Sequence, residues 1–175
     1  MMTNRRILLI SLVGFLIFGL LLGGRYIYQK QWVDVTILSQ SQEIPGVVSA
    51  KVESHNGLKE MVVKTNQLTN LRQACQILKK VAENVPIRFI DSRNQTLERV
   101  LGQMQFAVQE GIVSGNFTVM AQNLRTQAEN EGVNLELEMD SDAIYLILNQ
   151  GQAQLIEVIE RNGQGEFLSS EKDMG

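Results

Sequence analysis

Apolar and polar positions follow three rhythms along this chain, and each predicts a different kind of element. The first is an unbroken run: from Ile7 to Gly24, ILLISLVGFLIFGLLLGG, eighteen residues pass without a charge. As a helix the run spans about 27 Å, close to the roughly 30 Å hydrocarbon core of a bilayer. It has no polar face to turn toward water, which argues against a helix of a globular core. Arg5 and Arg6 precede it, and Arg25 and Lys30 follow. A secretory signal would carry a shorter apolar stretch and a small-residue cleavage site. The exit here reads Leu22-Gly23-Gly24-Arg25-Tyr26, with no cysteine for lipid attachment. The expectation is an uncleaved single-pass anchor with its flanks over residues 1–30, holding membrane lipid through residues 7–24. The basic start favours a cytoplasmic N-terminus, which puts residues 31–175 on the far side of a plasma membrane. Tyr26, Tyr28 and Trp32 would then sit at the far interface.

The second rhythm has a period of two. Val33 to Ser41 is ambiguous between a short helix and an extended leader. After the turn signal Ile44-Pro45-Gly46, residues Val47, Val48, Ala50 and Val52 read as a strand with Lys51 and Glu53 on its wetter face. His55-Asn56-Gly57 predicts a hairpin, and Met61, Val62 and Val63 mark the return strand over Glu60–Lys64. Ile87, Phe89 and Ile90 form a short strand ending at Asp91-Ser92. Later, Val133, Leu135, Leu137 and Met139 alternate with Asn134, Glu136, Glu138 and Asp140. Ala143 to Leu148 is uniformly apolar, as a central strand would be. Gln154 to Glu160 closes a meander through Leu155, Ile156, Val158 and Ile159.

The third rhythm alternates threes and fours. Leu68, Leu71, Cys75, Leu78, Ala82 and Val85 make one stripe on a helix over Gln67–Asn84, capped by Asn66 and stopped by Pro86. Leu97, Leu101, Met104 and Val108 mark a helix over Gln95–Glu110, broken at Gly111–Gly115. Asn116 caps a further helix bearing Phe117, Met120, Leu124 and Ala128, which ends at Gly132. Each stripe is shorter than three heptads, so core packing explains them better than a coiled coil. The predicted fold class is α+β: the anchor, a small αββαβ-like block over 31–92, then a helical hairpin packed on a three-stranded antiparallel meander over 93–161. Residues 162–175, polar and Gly-containing, are expected to be a disordered tail.

Charge narrows the choice of partners. All nineteen acidic residues but only twelve of the sixteen basic ones follow Gln31, a net charge of about −7 on the part beyond the anchor. Such a surface repels phosphate backbones, and aromatics are sparse, so no nucleic-acid partner is expected. One cysteine, Cys75, excludes an internal disulfide, and its place on an apolar stripe predicts a buried thiol. With one histidine, His55, in a turn, a His/Cys zinc site lacks ligands.

Candidate chemistry is thin. Asp140-Ser141-Asp142 is the nearest approach to a metal loop, but Tyr145 and Gly151 stand where an EF-hand needs Gly and Glu. A solvated turn accounts for it. Glu136 and Glu138 could pair as acid and base, yet their alternation with leucines reads as the wet side of a sheet. Neither phosphate-loop pattern is present. Asn94-Gln95-Thr96 and Asn116-Phe117-Thr118 fit the glycosylation sequon, and Gln150, Gln152 and Gln154 suit a polar surface. No catalytic, cofactor-binding or metal-binding residue is nominated, and no cofactor is expected.

Ile44-Pro45-Gly46-Val47-Val48-Ser49-Ala50-Lys51-Val52 resembles the segment that opens the first strand of the ring-building modules of secretion and sporulation membrane channels. The resemblance implies an αββαβ unit over residues 33–91. It also implies membrane anchoring and side-by-side packing with copies of itself or other envelope proteins, without catalysis. BON-type and metal-chaperone-like modules share the phrase, but no Cys pair stands near the turn. KH-type RNA modules share the element order, but the G-x-x-G loop is missing. The functional expectation is a membrane-anchored, extracytoplasmic, non-enzymatic interaction or assembly component of a cell-envelope complex, with Lys51, Glu53 and Lys64 the first residues to test. The alternatives are a sensor or ligand-binding module, or a hydrolase whose acids meet only in the fold, for example Asp91 near Asp140.

Overall fold

The computed structural model describes Ile17 and residues 44–55, 58–82, 85–162 and 167–172. The anchor segment 7–24, the aromatic residues Tyr26, Tyr28 and Trp32, the leader 33–41 and the Asn56-Gly57 turn lie outside the described residues. No helix among the described residues is long and apolar enough to cross a membrane.

The fold is α+β, with three helices and two sheets among the described residues. In chain order these are β1 (Val47–His55), β2 (Leu58–Thr65), α1 (Leu71–Ala82), β3 (Ile87–Asp91), α2 (Gln95–Ser114), α3 (Phe117–Asn130), β4 (Asn134–Met139), β5 (Ala143–Gln150), β6 (Ala153–Glu160) and β7 (Phe167–Lys172). The first sheet has the order β1-β2-β3-β7. β1 and β2 are antiparallel, while β2, β3 and β7 run parallel, with α1 as the crossover from β2 to β3. The second sheet is the antiparallel meander β4-β5-β6.

The meander and the helical hairpin share one core because their periods meet. Leu97, Val100, Met104 and Val108 of α2 and Met120, Leu124 and Ala128 of α3 pack with Ile144, Leu146, Leu148 and Leu155. α2 begins where the Asn94 side chain accepts from the Leu97 amide at 2.9 Å. It does not break at Gly111, as its sequence predicts, but runs on to Ser114. A Cβ at Gly111 would lie 2.6–2.8 Å from Met120 side-chain atoms, so this glycine lets the two helices approach. The turn comes at Gly115, at φ 69°. α3 closes with a Schellman pair: the Val133 amide donates to Ala128 O at 2.9 Å and the Gly132 amide to Glu129 O at 3.1 Å.

α1 starts four residues later than the stripe suggests, and Asn66 does not cap it. Gln67 and Asn70 sit at φ 52° and 56°, left-handed values that a continuous helix cannot contain. The Asn66 amide donates instead to Gly46 O at 2.8 Å. Leu68, fully buried, belongs to this loop rather than to the helix. Gly46, at φ 90°, is required here, since a Cβ would come within 2.4 Å of Leu68 Cα.

The tail expected to be disordered contains β7, which adds a strand to the first sheet alongside β3. Its pattern is too polar to announce a strand by itself. Tertiary partners supply the reason: Glu171 takes Arg88 Nη1 at 2.6 Å, and the buried Ser170 hydroxyl donates to Ile156 O. The sheet therefore draws on residues from both sides of the boundary placed at 92/93 from the sequence.

Candidate functional site

The β4–β5 surface that faces away from α2 and α3 carries Glu136 and Glu138 on β4 beside their cross-strand partners Ile147 and Tyr145 on β5. The start of α1 lies against this surface. Between them opens a cleft of about 300 Å³ lined by Asn70, Leu71, Glu136, Leu137, Glu138, Tyr145 and Ile147. The expected wet face of the meander is thus wet only along β4, since Tyr145 and Ile147 are buried. Glu136 accepts from Asn149 Nδ2 at 3.2 Å, and Glu138 stands 3.7 Å from Arg72 of α1. Each carboxylate has a neighbour to hold it, and both keep some access to solvent.

At one end of the cleft the Tyr145 hydroxyl donates to Asp140 Oδ2 at 2.8 Å. The other oxygen of Asp140 accepts the amides of Asp142 and Ala143, each at 2.9 Å. Desolvation opposes ionisation of Asp140, but the two amides, the phenol and the positive charge of Lys79 together hold its carboxyl below the ordinary range. Burial first, then the carboxylate beside it, pushes the Tyr145 phenol far above its usual value. Tyr145 is therefore a fixed neutral donor at neutral pH. Asp140-Ser141-Asp142 is a hairpin turn whose acid is occupied by its own backbone. Arg161 completes it by donating to Asp140 O at 2.8 Å while its guanidinium lies 4.6 Å from the centroid of the Phe117 ring.

Asp91 is somewhere else. Its carboxylate takes Arg93 Nε at 2.8 Å, Arg93 Nη2 at 2.7 Å and the Ile156 amide at 2.8 Å. Ile156 pairs with Ile147, four residues along β5 from Ala143, so roughly 13 Å of strand separates the two acids. They do not assemble into an acid pair. The Asp91–Arg93 bridge, with Ser170 bonded to the same guanidinium, instead joins β3, β6 and β7. Glu157 lies beside it, its Oε2 3.3 Å from the Ser170 hydroxyl, and burial raises its carboxyl against the opposing pull of Arg93.

A second hollow of about 420 Å³ opens between α2 and β6, lined by Leu101, Gln105, Val108, Gln109 and residues 157–160. No group of three or more His, Cys, Asp or Glu among the described residues is placed to hold a metal ion. Cys75 is fully buried, and burial raises its thiol far out of the reactive range, with Lys79 countering only in part.

Of the three glutamines that read as surface, Gln152 is exposed and Gln150 half-buried, while Gln154 is the largest miss. Gln154 is buried: its Oε1 accepts the Leu68 amide at 2.7 Å and its Nε2 donates to Leu68 O at 2.9 Å. One side chain thus pairs both backbone groups of a residue in the other sheet's connecting loop. Gln150 takes Asn94 Nδ2 at 3.1 Å, and the Gln152 carbonyl takes Gln67 Nε2 at 3.0 Å. Asn94 and Asn116, the sequon asparagines, both spend their side-chain oxygens on capping helices. The signal available beforehand was a polar residue at an apolar register position of a strand, which in β6 holds for Gln154, in line with Ile156 and Val158, and for Glu157, between Leu155 and Ile159.

Comparison with family models, with curated proteins and with solved structures finds no match to this chain.

Proposed function

We propose that this chain is a membrane-tethered, non-enzymatic interaction and assembly module of a cell envelope. In this reading Ile7–Gly24 is a transmembrane helix with its N-terminus in the cytoplasm, and residues 31–175 work on the far side. The observation that carries the reading is how the polar groups are used. Asp91, Arg93, Asp140, Tyr145 and Gln154 are all committed to holding one element to another. The first sheet carries a charged strand face, with Lys51 and Glu53 paired along β1 and the less accessible Glu60 paired with Arg88 across β2 and β3. A tether confines such a face to two dimensions and raises its effective concentration toward membrane-bound partners. The likeness of residues 44–52 to ring-building modules points the same way. Chemical crosslinking of the full chain in native membranes tests the reading. Species larger than the monomer support it, and recovery of monomer alone overturns it.

The cleft beside α1 favours a second reading, a ligand-binding or sensory module. Polar groups from three elements converge there on about 300 Å³ of space, enough for a small polar molecule. Thermal-shift screening of the full chain against small amines and amino acids separates the two. A shift abolished by Tyr145→Phe or Glu138→Gln would favour the second.

A further inference from the structure

β1 is the edge of the first sheet, hydrogen-bonded to β2 alone among the described strands. The register fixes which of its backbone groups point outward. Met61 pairs with Val52, yet the Met61 amide donates to Pro86 O at 2.8 Å, away from β1. Val52 and Met61 are therefore a non-hydrogen-bonded pair, and the Val52 amide and carbonyl face away from β2. By the period of two, Ala50 and Ser54 offer theirs outward as well.

We infer that this edge pairs with the same edge of a second copy, antiparallel, about a two-fold axis through Val52. The inference rests on the assembly reading and names its partner. Backbone geometry allows only registers that match outward residues with outward residues. Shifting the axis one residue either way sets Lys51 against Lys51 or Glu53 against Glu53, and like charges directly opposite are unfavourable. The axis at Val52 sets Lys51 against Glu53 of the second copy twice over, and overlaps the strand from Ser49 to His55. Lys51 is exposed and Glu53 half-exposed, with side chains 64% and 39% accessible, and they lie on the same face. A lysine on an edge strand ordinarily deters pairing. A lysine and a glutamate placed symmetrically about one residue deter the two neighbouring registers and favour the complementary one.

The test uses two differently tagged full-length variants, Lys51→Cys and Glu53→Cys, in detergent or in membranes under mild oxidation. In the inferred register positions 51 and 53 face each other as a non-hydrogen-bonded pair with Cα atoms about 4.5 Å apart, within disulfide range. Each position is too far from its own symmetry mate to bridge. The mixture should give a disulfide dimer carrying both tags, and neither variant alone should. Lys51→Glu should weaken dimerisation on the order of tenfold, and the double variant K51E/E53K should restore it. No mixed disulfide, or equal crosslinking by the single variants, overturns this edge pairing. Should larger species persist in crosslinked membranes, the assembly reading survives that result. If the chain is monomeric by both measures, both fail.

Discussion

Replacing Gln154 by Ala removes one side chain and strands two backbone groups. Leu68 is fully inaccessible, and among the described residues its amide and carbonyl are paired by Gln154, at 2.7 and 2.9 Å. Each buried group left unpaired costs about 1–3 kcal/mol, so the substitution should destabilise the fold by roughly 2–6 kcal/mol. Asn149, the third partner, keeps its contact with Glu136 and adds little. With a urea slope of about 1.5 kcal/mol per molar, the unfolding midpoint should fall by roughly 1.3–4 M. Gln152→Ala, at an exposed position of the same hairpin, is the control and should stay within about 0.5 kcal/mol. Urea titration of the full chain in a mild detergent, followed by far-ultraviolet circular dichroism, reads both. A Gln154→Ala midpoint indistinguishable from that of Gln152→Ala would refute the claim that this amide fastens the two sheets.

Two glycines of α2 should respond with opposite signs. Gly102→Ala meets open space and should stabilise by about 0.5–1 kcal/mol through helix propensity, whereas Gly111→Ala strikes Met120 and should destabilise by about 1–3 kcal/mol. Matching signs in urea melts would contradict the packing described. Asp91→Ala leaves the Arg93 guanidinium buried without its partner and should cost about 3–5 kcal/mol, read in the same melts; a loss under 1 kcal/mol would refute the bridge. Burial holds the Glu157 carboxyl above its unfolded value, so the folded state loses stability as pH rises through that range and the full penalty stands above it. Glu157→Gln should accordingly be more stable than the native chain near pH 7, with the advantage shrinking toward pH 4. An advantage independent of pH would show that charge is not its cause. Cys75 should react with a thiol reagent only as the protein unfolds, and stoichiometric labelling of the folded chain would contradict its burial.

The parts of the fold readable in advance are those where one element's own pattern suffices. The stripe through Leu97, Met104 and Val108, the alternation of Leu135 and Leu137 with Glu136 and Glu138, and the apolar run at Ala143–Leu148 each declare their own buried side. What was illegible depends on two segments at once. β7 is a strand because β3 presents an edge and Arg88 awaits Glu171. α1 starts late because Leu68 is held in a loop by Gln154, eighty-six residues away. Gly111 looks like a breaker until Met120 is beside it. The cleft follows the same rule: Glu136 and Glu138 read as the wet side of a sheet, but Asn70, Leu71 and Tyr145 reach them only through the packing of α1 on the meander.

Tethering is the premise on which the rest of the functional account stands, and carbonate extraction of membranes containing the full chain addresses it directly. A tethered chain stays in the pellet, with a mass that still includes residues 7–24. Release into the supernatant of a chain lacking that segment would contradict it.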